Sequence, residues 1–198
     1  MRESEDDYRL EGPRAEVDAA GHVLADLGLS DDEGNAHRLG DAWLIRPVVL
    51  AFLRHYGCIF CRRRVADLAR YSNDVRALGA GIALVGMGTP DMARDARRET
   101  GWRGPVYVDG DAKAYAAAGL AKATIAGVFR PRVVMAALRA RKEGFRQGKT
   151  RGNPWQLGGT LVIAPGDRVL YAWRNRAADD DAPMEEVLAA LRGAKAGG

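Results

Sequence analysis

The run Pro47-Val48-Val49-Leu50-Ala51-Phe52-Leu53 contains no polar side chain, and soon after it Gly57 precedes Cys58-Ile59-Phe60-Cys61. An unbroken apolar stretch rich in β-formers suits a strand buried on both faces of a central sheet. After Gly57 the period changes. Cys61, Val65, Leu68 and Val75 fall at i, i+4, i+7 and i+14, the spacing of one helical face, with Ser72 as a polar flaw in the stripe. Arg63 and Asp67 stand four apart on the opposite, solvated face. Any fold for this chain must therefore carry a buried strand almost directly into a helix with two cysteines in its first turn.

The remaining elements follow from the same rules. Residues 81–86 read as a second central strand, and Thr89-Pro90 as the N-cap and first residue of a helix. A short strand over 104–109 and a short helix over 111–118 come next, then a helix from Pro131 to about Gly144. Residues 159–173 read as a hairpin turning at Pro165-Gly166-Asp167-Arg168, and an amphipathic helix over 183–191 closes the chain. Residues 15–29 read as a short helix or irregular lead-in, and Ser30 to Asn35 as a turn joining two short edge strands. Early alternation of strand and helix implies parallel pairing, to which the late hairpin adds antiparallel strands. The expectation is one α/β domain over residues 1–198, a mixed central sheet with helices on both faces, and a solvated, mobile lead over residues 1–14.

A hydrophobic fraction of 47% and a charged fraction of 28% are those of an ordinary folded, soluble protein and speak against global disorder. Thirty Lys and Arg against 26 Asp and Glu leave a net charge of +4, too little to argue for nucleic acid. No apolar segment follows the charged start, and no run approaches the ~20 residues of a membrane span. We therefore expect a cytoplasmic protein without stable membrane association, in a compartment where structural disulfides are rare.

In that setting two cysteines separated by two residues read as redox or metal chemistry. Cys58 falls where strand gives way to helix, so unpaired amides and the positive end of the helix dipole converge on its sulfur and favour the thiolate. Arg54, Arg62, Arg63 and Arg64 can add positive potential. Cys61 lies one turn later on the apolar face and should be the more buried sulfur. Positions i and i+3 bring Cβ atoms within roughly 5–6 Å, close enough for a disulfide with slight adjustment. Cys58 is the expected attacker and Cys61 the expected resolver. The plain alternative is a pair of inert core thiols. A zinc site is disfavoured, since His22, His37 and His55 offer no paired ligand spacing.

The segment Val49 to Arg62 resembles the peroxiredoxin-like family of the alkyl hydroperoxide reductase/thiol-specific antioxidant superfamily, in the branch with selenoprotein U-like proteins and prostamide/prostaglandin F synthase. That branch carries F-L-R-x-x-G-C-x-x-C, matched here by Phe52, Leu53, Arg54, Gly57, Cys58 and Cys61. A second match is Trp155-Gln156-Leu157-Gly158-Gly159-Thr160-Leu161-Val162-Ile163. The similarity runs from about Leu24 to Leu191. It implies a thioredoxin-like fold with Cys58 as redox nucleophile, no metal or organic cofactor, and an external reductant such as thioredoxin or glutathione. Two positions depart from related patterns. Typical peroxiredoxins have P-x-x-x-T-x-x-C, where this chain has Ala51 and His55. Thioredoxins proper have a cis-proline where this chain has Gly159. A larger hydroperoxide or an endoperoxide thus stays open as substrate.

Other residues complete the expected site. His55 can stabilise the thiolate or pass a proton to a leaving alkoxide, unless it is a surface histidine at a strand end. The Arg54 guanidinium can hydrogen-bond a peroxide oxygen or merely local carbonyls. Gly57, Gly158, Gly159 and Thr160 can dock a substrate where the backbone approaches closely, with Trp155 as a pocket wall. Trp43, Trp102 and Trp173 read as packing residues. After Pro131, Arg132, Arg139, Lys142 and Arg146 form a basic stripe opposite Val134, Ala137 and Leu138. That stripe is a solvated face or an attractor of an anionic partner, and Arg141 points toward its apolar side. The readings in order are a thiol peroxidase, a thiol–disulfide or specialised-metabolite oxidoreductase, and a non-catalytic thioredoxin-fold interaction domain. A homodimer stays open.

Overall fold

In the computed structural model, which describes residues 14–122, 131–144, 153 and 155–196, β3 (Val48–Leu53) is buried at every position with a strand on each side. It pairs in parallel with β4 (Gly81–Gly86) and antiparallel with β6 (Gly159–Ala164), with Phe52 opposite Gly159. β5 (Val106–Val108) continues the parallel side. β1 (Gly28–Asp31) joins β5 antiparallel, and β2 (Ala36–Arg38) closes that edge. β7 (Arg168–Arg174) is the hairpin partner of β6. The order β2-β1-β5-β4-β3-β6-β7 is the mixed sheet expected.

Alternation along β3 divides the core. Val49, Ala51 and Leu53 face a cluster built with Cys61, Val65 and Leu68 of α2 (Ile59–Arg70), Val75 of α3 (Ser72–Ala77), Ala93 of α4 (Pro90–Thr100) and Val187 of α7 (Met184–Ala196). Val48, Leu50 and Phe52 face a second cluster with Leu24 of α1 (Arg14–Ala25), Trp43 and Tyr115 of α5 (Lys113–Ala117). Helices thus cover both faces, and α6 (Pro131–Lys142) packs beside α2. Among the described residues no helix is long and apolar enough to cross a membrane. The lead expected over residues 1–14 falls outside the described residues up to residue 13, and α1 begins at Arg14.

Several local expectations give way to packing. No single helix runs through Val75: α2 ends at Arg70, Tyr71 has φ −87° and ψ 0°, and α3 starts at Ser72. Ser72 Oγ donates to the Ala69 carbonyl at 2.7 Å, so the flaw in the apolar stripe marks the break, as a hydroxyl competing for backbone acceptors would. Arg63 and Asp67 do not pair. Arg63 reaches Glu143 at 3.1 Å, just past α6, and Asp67 takes Arg70 at 3.2 Å. On α6, Leu138 is 51% exposed and Ala140 is the buried residue, while Arg139, Arg141 and Lys142 are all exposed. Arg132, Val134 and Arg146 of the expected stripe lie outside the described side chains.

The loop after β3 is pinned to the ends of β4 and β5. The Tyr56 amide donates to the Met87 carbonyl at 3.3 Å, and its hydroxyl to the Tyr107 carbonyl at 2.5 Å. The Tyr115 hydroxyl donates to the carbonyls of Leu53 and Val85. The Tyr56 ring fits because position 86 has no Cβ: one built there would stand 2.4 Å from the ring. Gly86→Ala should therefore destabilise the protein by about 1–3 kcal/mol, as overpacking does. Urea unfolding measures this, and an unchanged midpoint would mean that the ring has somewhere else to go.

Candidate active site

Cys58 is the N-cap residue of α2, with extended geometry at φ −79° and ψ 131°. Its amide turns back to the His55 carbonyl at 3.1 Å, closing a tight loop from Arg54. Both sulfurs are free thiols, and the residues are 2% and 5% exposed for Cys58 and Cys61. They belong to one site, since hydrogen bonds converge on them from the same loop. The Arg54 amide donates to Cys61 Sγ at 3.1 Å, and Arg54 Nη1 stands 3.9 Å from Cys58 Sγ.

The two thiols are electrostatically unlike. Cys58 is pulled down to about 6, first by the hydrogen bond from the Cys61 thiol, against the opposing effect of burial, and further by the Arg54 charge and the Cys61 and Phe60 amides. The amides act as dipoles of the first helical turn; Cys58 makes no standard cap hydrogen bond. Cys61 is pushed well above the ordinary thiol range, first by burial and then by its neighbour's anion. A single proton is thus shared unequally: Cys58 is the thiolate at neutral pH, and Cys61 keeps its hydrogen.

Arg54 is itself held. Its Nε donates to the Gln156 carbonyl at 3.2 Å. The buried Gln156 side chain donates in turn to the carbonyls of Ala121 (3.0 Å), Leu157 (3.2 Å) and Leu120 (3.3 Å). Gln156 is a residue that reading the sequence missed. It stands inside the quoted Trp155–Ile163 block, but nothing in the pattern marks its carbonyl as a partner of position 54. Arg64, expected as one of four cations lending potential to the sulfur, has another task. It is buried, donating to the Ala182 carbonyl at 3.2 Å and to Thr160 Oγ1 at 3.3 Å.

The other expected site residues separate. His55 is buried, and burial together with Arg54 lowers its pKa to about 4. At neutral pH its ring carries no charge, so the expected imidazolium beside the thiolate is not available; Nδ1 has no hydrogen-bond partner among the described residues. Gly57 lies buried in the loop itself. Gly158 lines a cleft of about 10 Å³ with Arg54, Phe60 and Cys61, but a Cβ there would stand 2.2 Å from the Phe52 carbonyl oxygen. Its missing side chain serves strand approach. At Gly159 a Cβ would meet Leu120 Cδ2 at 2.6 Å and the Trp173 carbonyl at 2.7 Å. Gly159 and Thr160 are buried in β6, and the Thr160 hydroxyl is taken by Arg64, so neither forms an open floor. Trp155 is 37% exposed and is tied through its amide to Asn153. The described residues contain no cluster of metal-ligating side chains.

Comparison with known proteins bears on the family and the fold. The profile of the AhpC/TSA antioxidant enzyme family matches residues 67–177, a span that begins after both cysteines. The thioredoxin-like protein AAED1, chloroplastic, of Arabidopsis thaliana is 36% identical over 170 residues, 81% of this chain and 68% of that protein. The prostamide/prostaglandin F synthase of Danio rerio is 32% identical over 164 residues, 80% of each chain. Among solved structures, peroxidoxin BcpB from Mycobacterium tuberculosis shares the fold with a TM-score of 0.62 at 17% identity, covering 86% of this chain and 94% of that one.

The sulfur electrostatics make a direct prediction. Alkylation of Cys58 by iodoacetamide should rise with pH through a midpoint near 6, because a lowered pKa leaves the reactive anion present above it. Arg54→Met should move that midpoint up by roughly one unit, as loss of an opposite charge at close range does. Gln156→Leu should move it in the same direction by less. A midpoint indifferent to Arg54 would remove the guanidinium from the site's chemistry.

Proposed function

We propose, for a chain that belongs to the AhpC/TSA antioxidant enzyme family and is a peroxiredoxin-like thiol oxidoreductase, that it reduces a hydroperoxide or endoperoxide through Cys58 and recloses through Cys61. The observation that carries this reading is the asymmetry of the pair, a thiolate beside a guanidinium with a protonated thiol one turn away.

The Cys58 sulfur donates an electron pair to one oxygen of the O–O bond. An S–O bond forms, the O–O bond breaks, and the departing alkoxide takes a proton from solvent; a hydroperoxide leaves a sulfenic acid on Cys58, an endoperoxide the sulfenate ester of its second oxygen. The Arg54 guanidinium, 3.9 Å from the sulfur, supports this step as a group able to stabilise negative charge growing on the oxygens. Cys61 then attacks the Cys58 sulfur and its proton goes to the leaving oxygen, so that water, or the second alcohol group of an endoperoxide, departs as the disulfide forms. A thioredoxin-type dithiol restores both thiols by exchange, becoming a disulfide itself. No step calls on a metal or an organic cofactor.

Burial adds a condition. With Cys58 and Cys61 only 2% and 5% exposed, neither an oxidant nor a protein reductant reaches the sulfurs in the closed form, so turnover requires the 54–58 loop or the first turn of α2 to loosen. That loop is tied to the rest through Arg54 and Tyr56, so opening it would release the Arg54–Gln156 and Tyr56–Tyr107 hydrogen bonds.

Two variants test the reading. In Cys61→Ser, one equivalent of cumene hydroperoxide should leave a persistent sulfenic acid on Cys58, trapped by dimedone and located by mass spectrometry. Cys58→Ser should consume no oxidant above the level of free cysteine; consumption at the wild-type rate would end the proposal. In the wild type, oxidation should speed amide exchange over residues 54–62, and slower exchange there would contradict the opening.

A further inference from the structure

At the opposite end of β3 from the sulfurs lies a second cleft, of about 500 Å³, between α3, the start of β4 and the approach to β5. Its floor is apolar and belongs to the core: Val75, Ile82 and Trp102 are 0%, 7% and 5% exposed. Three arginines from distant parts of the sequence line it. Arg46 precedes β3, Arg76 sits on α3, and Arg103 lies in the turn before β5. Among the described residues no acidic side chain lines the cleft.

The contrast with the rest of the surface is what makes these arginines informative. Arg38, Arg62, Arg63, Arg70, Arg94, Arg97 and Arg98 each stand in an ion pair with a carboxylate. Arg46, Arg76 and Arg103 have no such pair among the described residues. Arg76 instead donates to a neutral group, the Asn73 amide oxygen, at 2.5 Å. Asp74, the acid of α3, lines a different groove with Asp67 and Asp181. Gly81 keeps the wall low at the start of β4. A Cβ there would touch the Arg46 guanidinium at 3.6 Å, so this side chain lies across the strand end toward the cleft.

Three uncompensated guanidinium groups around an apolar floor are complementary to a particular ligand chemistry. Guanidinium forks bind phosphate oxygens bidentately, and their flat faces stack on planar rings. The volume is within the range of small-molecule sites. We infer that this cleft binds a small organic polyanion, two or three negative charges carried on an aromatic body, the class that a nucleoside diphosphate exemplifies. Arg46 precedes β3 and Cys58 follows it, roughly 20 Å apart along a six-residue strand, so this ligand binds without occupying the sulfur site. The inference stands apart from the peroxide reading.

Isothermal titration of the reduced, full-length protein with ADP tests it, with adenosine and inorganic pyrophosphate as body-only and head-only probes. Saturable one-to-one ADP binding is expected. The triple variant Arg46→Gln, Arg76→Gln, Arg103→Gln should weaken it at least tenfold, roughly the effect of removing a single charge-assisted hydrogen bond. All three are surface positions, so the variant should keep its unfolding midpoint and its Cys58 alkylation rate. Both probes should bind more weakly than ADP. Equal ADP affinity in the triple variant, pyrophosphate binding as tightly as ADP, or no saturable heat up to millimolar ADP would each overturn the inference.

Discussion

A charged sulfur with almost no contact with water is the constraint around which this molecule is arranged. An anion taken out of water is costly unless donors replace the solvent. Here those donors are the Cys61 thiol, the Arg54 guanidinium and the amides opening α2. Each is available for a structural reason. The amides point at the sulfur because β3 stops at Leu53 and α2 starts at Ile59. Arg54 points there because the Gln156 carbonyl holds its Nε, and Gln156 holds its place by donating its own amide hydrogens to the carbonyls of Leu120, Ala121 and Leu157. The arrangement is a preorganised one, in which the stabilising dipoles are fixed before any substrate arrives.

The body of α2 and its first turn have different duties. Arg64 fastens the body of the helix to β6 through Thr160 and to the 175–182 segment through Ala182. That segment is fastened in turn by the Asn175 amide on the Gly158 carbonyl and by Trp173 Nε1 on the Asp180 carbonyl. The loop before the first turn is fastened instead to Gln156 through Arg54 and to β5 through Tyr56.

The departures from the common peroxiredoxin pattern find a physical place. Ala51 is buried in mid-strand between Leu84 and Thr160, where it packs and has no chemistry. His55 occupies the position of the patterned threonine but is a buried, neutral ring with an idle Nδ1 among the described residues. Arg54 therefore stands as the cation that the structure brings to Cys58, and the site relies more on one guanidinium than on a set of hydroxyl donors.

The sequence alone pointed to most of the local elements and to the candidate cysteine pair. An all-apolar run such as Val48–Leu53 can be stable only when covered on both faces, and a cysteine at the seam between strand and helix meets the helix dipole wherever the helix goes. Those are short-range consequences of residue type and period. The tertiary structure decided everything that required two distant segments to meet. Periodicity could not tell that Arg64 would be buried against Thr160 while Arg63 reached out to Glu143, because neighbouring helical positions differ only in which way the helix rotates on the sheet. Nor could it tell that a backbone carbonyl at Gln156 would aim the arginine at position 54. Gly158 and Gly159 were visible as close-approach residues, but whether a ligand or a strand does the approaching depends on what packs opposite them. Here a strand does approach at each: a Cβ on Gly158 would meet the Phe52 carbonyl of β3, and one on Gly159 the Trp173 carbonyl of β7.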